Sequence, residues 1–209
     1  MTIGDHSMAV HSRHLTIDDI AEPRAYERER PAYRAQIMTL KARRRVHVGI
    51  IMSLVFENRD TVRFHVQEMA RAEKMTTDAQ IEHELATYNP LIPGPGELSA
   101  TLFIECTDDD QMRYWFPRLV GVESSLEFRL GPPGARRAVR CQVDQAHEAQ
   151  LTRDDMTSAV HYIRWTLTPD EVDAFRHGPV VLTCVHPNYL EETKITVDAT
   201  AELTRDLAG

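Results

Sequence analysis

Residues 98–130 read LSATLFIECTDDDQMRYWFPRLVGVESSLEFRL, and the alternation of apolar and polar blocks in this stretch decides the fold class. Leu98 to Cys106 is an apolar run of strand length. Thr107 then caps a helix predicted over Asp108 to Val120, and Leu126 to Leu130 returns as a strand. The same order recurs further on. Val160 to Leu167 reads as a strand, and Thr168-Pro169-Asp170-Glu171 is a capping box with proline at the first helical position. The helix runs through Phe175 to a stop at Gly178, and Val180 to His186 is a strand again. Both units open with Ser-Ala and an aromatic-Ile pair, Ser99-Ala100 before Phe103-Ile104 and Ser158-Ala159 before Tyr162-Ile163. That repetition suggests an internal strand–helix–strand duplication. Arg137 to Val143 adds a strand and Asp198 to Leu207 a closing helix.

Working back toward the N-terminus, Thr16 with Asp19 marks a capped helical turn reaching Ala21. Pro31 is placed to open a helix whose apolar stripe is Tyr33, Ile37, Met38 and Leu40. Arg34, Lys41 and Arg43 to Arg45 are expected to stay solvated, with the C-terminal cations suiting the helix dipole. Val46 to Phe56 reads as strand, Asn58-Arg59-Asp60 as a turn, and Thr61 to Val66 as a returning strand of period two. Val62, Phe64 and Val66 would then face one way, and Arg63, His65 and Gln67 the other. Gln67 to Lys74 turns helical. Thr77 with Gln80 opens a further helix with Ile81, Leu85 and Tyr88 inside, ending near Asn89-Pro90. The expectation is an α+β fold, a mixed or mostly antiparallel sheet with packed helices. It forms one domain over residues 15–209, preceded by a flexible tail over residues 1–14 that carries His6, His11 and His14.

Composition narrows the class. A chain of 209 residues, 42% hydrophobic and 27% charged, can bury a globular core. No apolar run approaches the roughly 18 residues of a membrane span, and Met1 to His14 has no secretion-signal pattern. Cys106, Cys141 and Cys184 are widely spaced with no CxxC pair, which argues for buried thiols in a reducing, cytoplasmic setting rather than disulfides or a zinc site. Charge is uneven. Arg24 to Arg45 holds eight basic residues against Glu27 and Glu29, a net of +6 that leaves −14 elsewhere in a chain of −8. Such a chain repels nucleic acid overall, and only the basic stretch could attract a polyanion or an acidic partner.

No phosphate loop, GxSxG elbow, HExxH or dinucleotide fingerprint is present. The residues with chemistry to offer lie elsewhere. Glu57, Arg59, His65, Gln67 and Glu68 bring carboxylate, guanidinium, imidazole and amide into one short segment. Glu82-His83-Glu84 lies off its helix stripe, Glu97 and Glu105 flank an apolar strand, and His161 is in register with Ile163, Trp165 and Leu167. These are open to two readings: a ligand or metal site, or a solvated face with Glu57–Arg59 and Glu105–Arg164 ion pairs and His161 bonded in the core.

Three segments, FENRDTVRFHVQEM (Phe56 to Met69), HELATYNPLIPGPGELSATLFIE (His83 to Glu105) and QLTRDDMTSAVHYIRW (Gln150 to Trp165), resemble the bacterial family known as domain of unknown function 3501. The resemblance runs from about Leu15 to Leu207 and includes LTIDDI and RAYERERP. It implies no established activity, but a redox or oxidative-stress setting beside rubrerythrin-like and iron–sulfur proteins. Two functions are therefore expected. The first is an accessory or interaction protein that docks an acidic redox partner on its basic stretch; a homodimer is also plausible, a point on which the sequence is silent. The alternative is a small enzyme that uses a divalent metal (non-haem iron, manganese or zinc). Its ligands would be His83, Glu105 and His161, and Glu57, Arg59, Gln67, Glu68 and Glu97 are the candidates for binding a ligand.

Overall fold

The computed structural model describes residues 13–143 and 155–208. The tail expected over residues 1–14 lies outside them as far as residue 12, as do residues 150–154 of the third segment above. In chain order the elements are α1 (Pro23–Arg43), β1 (Arg45–Val48), β2 (Met52–Phe56), α2 (Arg59–Ala72), α3 (Asp78–Tyr88), β3 (Glu97–Ile104), α4 (Asp109–Trp115) and β4 (Leu126–Leu130). There follow β5 (Arg137–Arg140), β6 (Gln142–Val143), β7 (Val160–Thr166), α5 (Pro169–His177), β8 (Val180–His186), β9 (Tyr189–Lys194) and α6 (Val197–Ala208).

The α+β class is as expected, but the strands form two sheets. One has the order β1-β2-β3-β7-β6 and the other β5-β4-β8-β9. All the strand pairings are antiparallel. The two strand–helix–strand units follow the same course. Each starts in the first sheet, passes a helix and ends in the second, so β3 pairs β7 and β4 pairs β8. The strand expected over Arg137 to Val143 changes sheet at Cys141 and thereby joins the two along one side. On the other side Tyr189 of β9 donates its hydroxyl to the Val48 carbonyl (2.8 Å) and accepts from the Ile51 amide (3.2 Å). The two sheets thus wrap a shared core. Phe128 lies at its centre, with ring centroids 6.0 Å from Phe56, 4.8 Å from Trp165 and 5.4 Å from Phe175.

The strand alternation carries this arrangement outward. Leu98, Ala100, Leu102 and Ile104 of β3 join the inner core, while Thr101 and Phe103 point to the opposite face. There α2 and α3 lay down a second apolar cluster of Leu15, Val62, Val66, Leu85, Leu91 and Ile92, with Tyr88 and Tyr162 at its margin.

Four local expectations are corrected. The turn and strand expected over Asn58 to Val66 are the start of α2. Asn58 accepts from the Thr61 amide (3.0 Å) and Thr61 Oγ1 accepts from the Asn58 amide (2.9 Å), a reciprocal cap. The helix is buried on two sides. Val62 and Val66 pack on α3 and its following turn, while Phe64 meets Tyr33 of α1 at 5.8 Å. Two stripes on one helix produce apolar residues at 62, 64 and 66 and so imitate a strand. Secondly, α1 takes Pro23, not Pro31, at its first turn, and Pro31 lies inside the helix. Thirdly, Val46 to Phe56 folds as a hairpin around Gly49, whose φ of +66° is left-handed; a Cβ there would collide with the Tyr189 hydroxyl. Lastly, β9, with sequence YLEETK, is a strand without strand alternation, since only Tyr189 of its residues is buried.

Candidate functional site

Where β2 passes into α2 the chain delivers Glu57 beneath the helical layer. Its amide donates to the Ser99 carbonyl of β3 (2.8 Å), which fixes the side chain against the outer face of the sheet. The carboxylate is 7% exposed. It accepts from Thr101 Oγ1 at 2.6 Å and also from Thr61 Oγ1. No ion pair with a guanidinium or ammonium group involves it among the described residues. Two hydroxyl donors thus solvate a buried acid that no neighbouring cation neutralises.

This carboxylate opens on a cavity of about 240 Å³ whose wall includes Lys41, His65, Tyr88, Thr101, Phe103 and Tyr162. His65 lies two helical turns beyond Glu57, its ring edge-on to Tyr88 at 4.2 Å. Its Nε2 is buried and has no hydrogen-bond partner among the described residues. Burial lowers the pKa of this imidazole below its ordinary value; the Glu57 charge pushes the other way, and the Lys41 charge adds to the lowering. His65 is therefore neutral near pH 7. Tyr88 and Tyr162 approach edge-to-face at 6.5 Å and share a hydrogen bond. Burial raises both phenols above their usual range, so both hold their protons. Lys41 sits 5.7 Å from the Phe64 ring centroid. The arrangement places an acceptor carboxylate, a neutral imidazole, a hydrogen-bonded pair of phenols and an ammonium around one small, partly apolar space. That is the equipment of proton transfer on a bound molecule.

Larger hollows exist. A groove of about 370 Å³ lies between the Ile17 turn, α1, α2 and α3, and an open one of about 630 Å³ lies beside α5 and α6. In the first, the buried polar side chains are committed to holding the fold, as follows.

Most of the residues expected at a site turn out to strap the N-terminal segment over α2. Arg59 pairs with Asp19 at 2.6 Å, and Arg63 donates to the Asp19 carbonyl at 2.7 Å. Gln67 mimics a strand partner for Ala21, accepting from its amide (2.8 Å) and donating to its carbonyl (3.0 Å). Glu68 receives Arg30 through two nitrogens (2.8 and 2.7 Å) and Tyr26 through its hydroxyl (2.5 Å). The Arg30 bonds hold its carboxyl down at about 2. Glu97 accepts from Arg164 and from the Gly94 amide, both at 2.8 Å, closing the 94–97 loop. The ion-pair partners therefore differ from those expected: Arg59 goes to Asp19 rather than Glu57, and Arg164 to Glu97 rather than Glu105.

The three expected metal ligands lie apart. His83 is exposed on α3. Glu105 is exposed at the end of β3 and pairs with Arg45 at 2.8 Å. His161 is 2% exposed, with Nε2 2.9 Å from Thr157 Oγ1 and 3.0 Å from the Ser158 carbonyl, and Nδ1 3.9 Å from Glu123. Among the described residues no three His, Cys, Asp or Glu side chains gather around a common point.

The basic stretch is also rearranged. Arg44, expected in solvent, is 1% exposed. It donates to the Phe56 and Glu57 carbonyls (2.8 and 3.1 Å) and pairs with Asp206 of α6. Arg43 pairs with Glu202 at 3.1 Å, and Arg30 and Arg45 are engaged as above. Of the expected candidates, only Glu57 and His65 reach the cavity. Lys41, Tyr88, Thr101 and Tyr162 carry no individual signal of a site: tyrosine at an inner helical or strand position reads as core, Thr101 as part of a strand and Lys41 as a solvated cation. The signal that would have found them is segmental: apart from Lys41, every wall residue named above comes from one of the three segments that carry the family resemblance.

The comparisons agree with that resemblance. The family model described as protein of unknown function (DUF3501) matches residues 14–207. A crystal structure of a novel protein of unknown function from Burkholderia pseudomallei is 34% identical, covers 92% of this chain and 98% of its own, and superposes with a TM-score of 0.83. No curated protein matches the chain. Among the described residues no helix is long and apolar enough to cross a membrane.

Proposed function

The chain belongs to the DUF3501 family, and we propose that it is a small-molecule enzyme whose cavity beneath α2 binds a small polar substrate and moves a proton on it. Glu57 serves as the general base, neutral His65 as the partner that accepts or returns the proton, and the hydrogen-bonded Tyr88–Tyr162 pair as the hydrogen-bond donor to the oxygen on which charge develops. One observation carries this reading. Among the described residues, a buried carboxylate whose side-chain donors are two threonine hydroxyls opens on the same cavity as an imidazole whose buried Nε2 lacks a hydrogen-bond partner. Folded proteins rarely leave such groups together without a use for them. The expected docking of an acidic redox partner is less well supported, since Arg24, Arg28 and Arg34 alone of the basic stretch's arginines are exposed without an ion pair among the described residues.

The test is a ligand-observed NMR screen with small hydroxy acids, keto acids, amino acids and phenols. Compounds that bind should be lost in Glu57→Gln and Tyr162→Phe and retained in Glu68→Gln. Binding that ignores the first two variants, or a library with no binder, overturns the reading.

A further inference from the structure

Lys41 stands apart from the basic residues around it. Arg43, Arg44 and Arg45, which follow it almost directly, each have a carboxylate partner, at 3.1 Å from Glu202, on Asp206, and at 2.8 Å from Glu105. Lys41 is half-buried in the cavity wall, and among the described residues it has no carboxylate within ion-pair range. Among the described residues, the Phe64 ring at 5.7 Å stands in place of a counter-ion. An ammonium drawn partly out of water calls for an anion beside it. The other charged group on the wall, Glu57, already accepts two threonine hydroxyls.

The remaining wall sets the shape and size of the occupant. Val62, Leu91, Phe103 and Val160 make it apolar, and about 240 Å³ is less than a drug-sized site of roughly 300–1,000 Å³ occupies. Resting on the reading just given, we propose that the substrate is a small organic acid whose carboxylate pairs with Lys41 while its apolar body lies against Phe103 and its neighbours. Lys41 is then the specificity-determining residue of the site. A neutral His65 fits this division, because among the described residues of the wall it leaves Lys41 as the cation to draw an acid in.

Three probes that share one ring and differ in head-group charge test this on the full chain: benzoate, benzyl alcohol and benzylamine, each titrated by NMR with the His65 and Tyr162 ring signals as the report of place. Benzoate is expected to bind at least tenfold more tightly than the other two. Lys41→Met should erase that preference while leaving benzyl alcohol unchanged, and Lys41→Arg should restore most of it. If benzyl alcohol or benzylamine perturbs the same rings as well as benzoate does, or if Lys41→Met keeps the preference, the acid assignment falls and the cavity reading survives. If no probe perturbs those rings, both fall.

Discussion

Glu57 and Glu68 stand at either end of the same helical segment and show how differently one fold can use a carboxylate. Glu68 receives a two-pronged guanidinium and a phenol, with Arg30 holding its carboxyl near 2, and it ties α1 to α2. Glu57 is more deeply buried but receives only hydroxyls and faces a cavity. The first pattern favours stability, because both carboxylate oxygens meet a charged or strong donor. The second leaves a carboxylate facing a cavity, next to an imidazole whose Nε2 has no partner among the described residues. Glutamate is indistinguishable from glutamate in the sequence; which pattern applies depends on what the opposite element presents. For Glu68 that is Arg30 of α1, and for Glu57 it is Thr101 of β3.

The contrast can be broken in order of expected effect. The largest is at the joint supporting the Glu57 backbone. Arg44→Met removes donors from the Phe56 and Glu57 carbonyls and strands Asp206. Loss of one partner from a buried pair costs about 3–5 kcal/mol, to be read from urea unfolding. Next, Glu68→Gln should cost about 1.5–3 kcal/mol, as for hydrogen bonds to a charged group. The pH dependence follows from the same bonds. The folded-state value near 2 lies below the ordinary 4.5, so the contribution is complete above pH 4.5 and is lost as the pH falls toward 2. A wild-type stability curve that runs parallel to that of Glu68→Gln through this window would contradict it.

A smaller effect belongs to His65. Its folded pKa is depressed below 6.5 by burial, so its contribution is complete above pH 6.5 and declines as the pH falls through the folded value. His65→Gln should flatten stability in that range, measured by thermal unfolding between pH 7 and pH 5. A variant that keeps the wild-type slope would place the titrating group elsewhere.

Much of the fold was legible because its signals are local. The Thr77–Gln80 and Thr168–Glu171 caps, the strand alternation of 160–166 and the two strand–helix–strand units all appear where sequence placed them. Elements whose burial is set by their neighbours rather than by their own pattern do not show in the sequence. Val62, Phe64 and Val66 imitate a strand because α2 is packed from both sides, and β9 shows little alternation because it lies at the end of its sheet's strand order. The candidate site was half legible for a related reason. Polar residues such as Glu57 and His65 announce themselves in a sequence. Tyr88 and Tyr162 have the dual character of core ring and polar tip, and only the pairing of β3 with β7 under α3 brings their hydroxyls to one place.

The most direct test pairs two measurements on two variants: unfolding free energy and affinity for the tightest-binding small acid, in Glu57→Gln and Glu68→Gln. The account predicts a crossing. Glu57→Gln should stay within about 1 kcal/mol of wild type, since it removes a buried charge along with hydrogen bonds, yet lose binding at least tenfold. Glu68→Gln should lose stability and keep its affinity. If affinity survives in Glu57→Gln, or falls only in proportion to stability in both variants, the cavity beneath α2 is not the working site.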